Sequence, residues 1–334
     1  MRDESMLLSV VVTIVGGKEF LPRCLRQLEA QIQQQAVEIL VPYDRSIADI
    51  ALLAAEFPRV IFVDCGNLET DAPPGSPAAA HELYDIRRAW GLRTARGSLV
   101  ALLEDYEIPA ENWVARLLAA HQLPHGVIGG AVEHAGRGLL NWAVYFLDFG
   151  RYQLPLNEGP ASYLTDVNLS YKRTALELVR DLWVQQYHEV TVHWALARQG
   201  VTLWQQPDIV VHQDRGRMSL GQTLAERFAW GRLFGVLRVR ELTPGRRWGY
   251  VVLSPLIPVV VIGRLFRKVF GGRRCRLQFL AALPFIVLLS IVWCMGEVAG
   301  YITGRACSSP AGPRKQQAPA ATPALAGQGV RDAS

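Results

Sequence analysis

The chain has 334 residues, half of them hydrophobic, enough for one large α/β domain with appendages and unusually apolar for a protein wholly in water. Its formal net charge of +5 is split: residues 1–235 carry 21 Lys and Arg against 27 Asp and Glu, net −6, and residues 236–334 carry 14 against 3, net +11. An acidic body with a basic, apolar tail points to an anionic membrane surface, and argues against nucleic acid, whose binding needs basic residues interleaved with aromatics on the folded domain.

Strand and helix patterns alternate through the first half. Leu7–Val15 reads as a strand; it is too short for a signal-peptide core, and Arg2 is balanced by Asp3 and Glu4. Residues 19–35 have helical periodicity, with Leu21, Leu25 and Leu28 on one face. A strand over 37–42, a helix over 47–55 and a strand over 59–64 follow, then a Pro-, Gly- and Asp-rich loop over 67–77. A helix over 78–94 leads to a strand over 98–103 and a helix over 110–121. This order predicts a doubly wound, mostly parallel sheet covered on both faces.

The middle of the chain is less regular. Strands are expected over 127–133 and 162–171, and an aromatic-rich helix or lid over 139–149. Helices follow near 174–182 and 189–199, then two short strands over 202–205 and 209–212, separated by Pro207. Residues 219–240 form a long amphipathic helix whose apolar side carries Leu224, Phe228, Leu233 and Leu237. Two hydrophobic blocks come next. The first, 248–266, contains Pro255 and Pro258 and is marginal for spanning; the second, 277–303, is long and apolar enough to span despite Glu297. The basic linker between them includes Arg267, Lys268, Arg273 and Arg274, and a re-entrant first block would keep it cytoplasmic. The tail beyond Arg305 is rich in Pro, Ala, Ser and Gly and reads as disordered. Five cysteines without Cys-x-x-Cys spacing indicate neither a disulfide framework nor a zinc site, so a reducing cytosolic domain is the default.

The chemistry concentrates at the end of the strand over 98–103, where Glu104, Asp105 and Glu107 fall within four residues. Carboxylates at the carboxyl end of a buried strand lie where open α/β sheets bind ligands, and hard oxygen ligands suit Mg²⁺ or Mn²⁺. Three more clusters accompany them: the strand, turn and helix over 9–25, the strand ending in Tyr43 and Asp44, and the segment Arg87 to Gly97. A last group runs from Asp166 through Asn168 to Arg173, then His188 and Glu189, then Pro207 to His212.

In order and spacing, residues 7–235 resemble the family 2 glycosyltransferases of the GT-A fold. The resemblance implies a hexosyltransferase-type enzyme: a GT-A-like domain over 1–215, an amphipathic interfacial helix and linker over 216–247, a membrane region over 248–304 and a disordered tail over 305–334. It implies donor contacts from Thr13, Val15, Glu19, Asp44, Arg88, Glu104 and Asp105, with Asp44 at the nucleobase. Asn168, His188 and Trp230 fall on the acceptor side. Glu189 is the implied catalytic base, and Asp105, Glu107 and His212 the candidate ligands of Mn²⁺ or Mg²⁺. Tyr106 stands where the family's second Asp of Asp-x-Asp binds metal, and Ala89 replaces an Asn. The implied reaction is inverting transfer from a nucleotide sugar to a lipid-linked or envelope glycan acceptor at the cytoplasmic face of the cell membrane. Two other readings stay open: a degenerate, non-catalytic nucleotide-sugar- or partner-binding membrane protein, and a nucleotidyltransferase, for which residues 15–18 supply a meagre Gly-rich loop. Each residue also has a bland alternative. Glu189 then serves only as a helix N-terminal acid, the histidines are structural, Trp113, Trp142, Tyr145 and Phe149 are core, and the arginines of 227–232 snorkel.

Overall fold

Every residue of the first strand, β1 (Leu8–Thr13), is buried. It lies between β2 (Val37–Tyr43) and β4 (Leu99–Glu104), parallel to both, and β3 (Val60–Asp64) extends the parallel array beyond β2. A strand covered on both faces needs apolar side chains at successive positions, which is why Val10, Val11 and Val12 run together. This computed structural model describes residues 7–15, 17, 19–32, 36–239 and 242–305. Gly16 and Lys18 of the glycine turn, the end of the helix expected over 19–35, and the tail expected over 305–334 (Arg305 apart) lie outside the described residues.

Among the described residues the sheet has nine strands, in the order β3-β2-β1-β4-β8-β6-β9-β5 with β7 beside β9. Here β5 is Glu107–Pro109, β6 Val127–His134, β7 Gly159–Ala161, β8 Asn168–Lys172 and β9 Leu203–Gln213. β8 runs antiparallel to β4 and β6, and β6 is parallel to β9, so the architecture is α/β with a parallel half and a mixed half. One face is covered by α1 (Leu21–Glu29), α2 (Ile50–Glu56), α4 (Trp113–Ala120) and α5 (Leu139–Phe149), which share a core with Val10 and Val12. On the other face, α3 (Pro77–Thr94), α6 (Arg173–Glu177) and α7 (Glu189–Arg198) pack over Val11, Leu40 and Leu102. Ser76 caps α3 by accepting from the Ala79 N–H at 3.2 Å, and Pro77 starts its first turn. Gly91 lets α3 settle on the sheet: a Cβ there would lie 2.3 Å from Val11 Cγ1.

Three of the expected strands differ in the structure. Only residues 168–171 of the segment 162–171 are strand, within β8. Leu164 is pulled under Gly129 and Asp166 turns the chain, which frees Tyr163 and Asp166 from the sheet. The two short strands around Pro207 are one, β9, because the partner strand shifts register between Gly129 and Ala131. There the Gln205 amide donates to the Gly129 and Gly130 carbonyls at 2.9 and 3.1 Å, so a residue without an N–H is tolerated beside it.

The C-terminal helices are α8 (Leu220–Val239), α9 (Pro244–Leu253), α10 (Ile257–Gly271) and α11 (Arg276–Thr303). The expected leucine stripe of α8 is only partly its buried face: Leu237 is buried and Leu224 packs against the core, but Phe228 is exposed, and Thr223, Arg227, Gly231 and Gly235 are buried instead. The reason is close contact with α11, where Gly231 and Gly235 face Gly296 and Gly300 with backbones nearly touching. Pro255 and Pro258 tighten the run between α9 and α10 into a 3₁₀ turn, Ser254–Leu256, without ending it. Among the described residues, two helices are therefore long and apolar enough to cross a membrane: Gly245–Gly271, mean hydropathy 1.9, and Arg276–Thr303, mean hydropathy 2.4. They are also fastened to the sheet domain, since Phe279 of α11 meets Phe146 of α5 edge-to-face at 5.3 Å and Leu265 of α10 joins the same core.

Candidate active site

A cleft of about 1230 Å³ opens where β1 and β4 end, the place at which parallel sheets of this kind leave room for ligands. Its floor comes from the sheet domain, including Val15, Glu104, Tyr106 and Asp166. Its opposite wall comes from α5, α8, α10 and α11, through Asp148, Trp230, Leu265 and Trp293.

Five carboxyl groups line this cleft: Asp148 and Glu226 on the helical wall, and Glu104, Asp166 and Glu189 on the sheet-domain side. The Tyr84 hydroxyl sits 2.6 Å from Glu104 Oε1 and 2.9 Å from Asp166 Oδ2. One hydroxyl carries one proton, so both contacts are satisfied only when a carboxyl supplies a second. Glu104 is suited to do so, because burial and then the Asp166 charge push it up to about 7. Arg88, fully buried, donates to Asp166 Oδ2 and, at 3.3 Å, to Thr13 Oγ1, with its guanidinium 4.3 Å over the Tyr84 ring. Glu189 opens α7 and accepts from the Tyr163 hydroxyl. Burial, followed by Asp166, raises its carboxyl to about 7, with the Tyr163 hydrogen bond working the other way. Beside it, His188 Nδ1 lies 3.0 Å from Asp85 Oδ2, and His81 approaches the same oxygen at 3.5 Å.

Asp44 acts one step back from the cleft. Its carboxylate accepts from the Ser46 N–H at 2.8 Å and from Arg87 Nε, and Arg87 also donates to the Ile14 carbonyl at 3.0 Å and Ser46 Oγ at 2.9 Å. Burial favours its protonated form, but the Arg87 hydrogen bond and charge, helped by Ser46, hold Asp44 below the usual carboxylate range. Ser46 and Arg87 are the groups that reach the cleft wall.

The other candidates divide. Val15, His188 and Trp230 line the cleft; Thr13 is buried beneath it, and Glu19 is exposed outside its wall. Asn168 is a core residue: its Oδ1 accepts from Trp113 Nε1 at 2.9 Å, and its amide donates to the Ala131 and Ile209 carbonyls at 2.8 and 2.9 Å. Asn168→Ala would orphan three buried groups at about 1–3 kcal/mol each, so denaturant unfolding should report a loss of about 3 kcal/mol or more. A loss below about 1 kcal/mol would contradict this bracing role.

Asp105, Glu107 and His212, expected to share a metal, do not converge. Asp105 is buried and its Oδ1 accepts from the Val15 N–H at 3.0 Å. Glu107 is buried and braces the turn, accepting from the Glu104 N–H at 2.9 Å and from the Gln213 amide at 3.3 Å. Burial, with Glu104 and Asp105 nearby, raises its carboxyl well above the ordinary range. His212 follows the alternation of β9 to the opposite side from Gln213, where it is exposed beside Gln27 and Glu111 in a shallow depression. Among the described residues, no three His, Cys, Asp or Glu side chains are grouped to hold a metal. The two acids at the end of β4 and before β8, Glu104 and Asp166, are already engaged with Tyr84 and Arg88. This donor set does not fit a divalent cation.

Sequence reasoning passed over Tyr84, Arg87, Tyr163, Asp166 and Arg215. Arg87 and Asp166 stood inside quoted clusters, and helical phase would have separated Arg87 from Arg88. Arg215 follows β9 by two residues in a basic patch with Arg217, a weak signal by itself. Its guanidinium lies 5.1 Å from the Tyr106 ring and 5.7 Å from Trp230, within the cleft.

No protein-family model and no curated protein matches this sequence. Solved structures do match in shape. A mannosyltransferase from Pyrobaculum calidifontis, in complex with GDP-Man and Mn²⁺, is 15% identical over 89% of this chain and 85% of its own, with a TM-score of 0.47. S. aureus TarS, in complex with UDP-GlcNAc, is 13% identical over 88% of this chain and 90% of its own, with a TM-score of 0.48. The chain is thus similar along most of its length to two proteins solved with nucleotide sugars.

Proposed function

We propose that the chain is an inverting, hexosyltransferase-type glycosyltransferase of the family 2 kind. It moves a sugar from a nucleoside-diphosphate donor to a lipid-linked or glycan acceptor at the cytoplasmic face of the cell membrane. The observation that carries this reading is the composition of one cleft. Glu104 at the end of β4, with Asp166, Arg87 and Arg215 from neighbouring segments, lines its floor, and helices apolar enough to cross a membrane contribute to its wall. Ser46, Ile47 and Arg87 border the end suited to the nucleoside, while Leu233, Leu237, Val261 and Leu265 border the end suited to a lipid chain. The division into a sheet domain over 1–215, an interfacial helix over 216–247 and a membrane region over 248–304 fits this use, with α8 and α11 acting as one unit.

In the reaction Glu189 accepts the proton of the acceptor hydroxyl as its oxygen bonds to the anomeric carbon. The bond from that carbon to the diphosphate breaks on the opposite side, and its electron pair leaves on the phosphate oxygen. Cationic groups on the cleft floor offset the charge that develops there. Detergent-solubilised protein tests this with a panel of nucleotide sugars, reading released nucleoside diphosphate. Release that depends on acceptor supports transfer. Pyrophosphate as the product identifies a nucleotidyltransferase, and nucleotide-sugar binding without turnover identifies the non-catalytic alternative.

A further inference from the structure

We propose that Arg215 neutralises the donor diphosphate in this chain, so that nucleotide binding and transfer proceed without a divalent metal. The inference rests on the glycosyltransferase reading and extends it to the identity of the cation. Three observations meet at one corner of the cleft. First, the acids expected to hold a metal are dispersed or engaged: Asp105 with Val15, Glu107 with Glu104 and Gln213, and His212 on another surface. Second, Tyr106, at the position where the resemblance implies a metal-binding Asp, supports the Arg215 guanidinium with its ring at 5.1 Å, with Trp230 at 5.7 Å. Rings placed over a guanidinium hold it by cation–π attraction and leave its in-plane N–H groups for other partners.

Third, Arg215 is not saturated by its carboxylate neighbours. Asp148 lies 4.0 Å away and Glu226 3.9 Å, beyond hydrogen-bond reach, and Asp148 is taken bidentately by Arg227 at 2.5 Å on both oxygens. The side chain is only 9% exposed, yet it lines the cleft and lies close enough to Glu104 for each to influence the other's charge. A planar fork of donors, preheld by an aromatic shelf and held by its acidic neighbours only at 3.9–4.0 Å, matches two phosphate oxygens. Tyr106 therefore removes a metal ligand and seats a fixed cation in exchange.

Calorimetric titration of UDP and GDP into the full-length protein, in EDTA and in Mn²⁺, decides the matter. The expected result is diphosphate binding in EDTA that Mn²⁺ changes by less than about threefold, against the roughly 10–100-fold expected for losing a charge-assisted contact. Arg215→Ala should weaken UDP or GDP by about 10–100-fold while leaving the corresponding nucleoside unchanged. Arg215→Lys should recover part of that loss, because it restores charge without the fork. A general structural defect would weaken nucleoside and diphosphate alike, and that result overturns the assignment. Binding that requires Mn²⁺ overturns it while leaving the transferase reading intact. Absence of binding by either diphosphate under both conditions overturns both.

Discussion

Glu189→Gln is expected to lower turnover by about 10²–10⁴-fold with little change in donor affinity, the range for loss of a general base. The amide keeps the size and hydrogen-bonding reach of the carboxylate but cannot take a proton at neutral pH. The pH profile gives the sharper test. Glu189 acts as carboxylate, and burial with the Asp166 charge raises its carboxyl to about 7. Activity should therefore fall as pH drops through about 7, roughly tenfold for each further unit, and the limb should disappear in Glu189→Gln. Tyr163 donates to the carboxylate and favours its charged form. Tyr163→Phe should move the limb to higher pH without abolishing it. If Glu189→Gln keeps more than a third of native turnover, the base lies elsewhere in the cleft, with Asp166 and Glu104 next in line.

The strands of the parallel half were legible because burial on both faces leaves unbroken apolar runs, as in Val10–Val12 and Leu99–Leu103. Among the helices between them, α1 was legible in its leucine spacing, whereas the Ser76 cap and Pro77 start of α3 lay at the end of what reads as a loop. The mixed half was harder to read. Pro207 resembles a break, and only the facing register shift at Gly129 shows why the strand continues. Within the site, Glu189 and Arg88 stood out in sequence and do lie at the cleft, Glu189 on its wall and Arg88 buried behind it. Asp105 and Glu104 differ by one position, and at a strand end that single step reverses direction: Glu104 faces the cleft and Asp105 turns toward the Val15 loop. Arg215 and Tyr106 could not be paired from sequence, since they lie more than a hundred residues apart and meet only because β9 returns beside β5.

Gly231→Leu should be the most damaging single change in the helical wall. A Cβ at Gly231 would come 2.3 Å from the Trp293 carbonyl oxygen, and one at Gly296 would come 2.2 Å from the Phe228 carbonyl oxygen. These obstacles are backbone atoms, so no rotamer change relieves them and the helices must part. Overpacking of this kind costs about 1–3 kcal/mol and sometimes more. The seam also holds Glu297, 2% exposed within an otherwise apolar helix, which meets Arg238 of α8 at 3.4 Å and accepts from the Tyr301 hydroxyl at 2.5 Å. Prying α8 from α11 separates that ion pair too, so the loss should exceed the steric cost alone. Thermal unfolding in detergent should show a marked fall for Gly231→Leu. Gly221→Leu, on the same helix with open space around it, should melt at or above the native temperature. The double substitution Gly231→Leu with Gly296→Leu should cost less than the two single losses together, because both open the same crossing. Full additivity would mean that the glycines do not meet. Since Trp230 lines the cleft beside this seam, with the Arg227 guanidinium 5.5 Å from its ring, the same separation should loosen the shelf under Arg215 and lower diphosphate affinity along with stability.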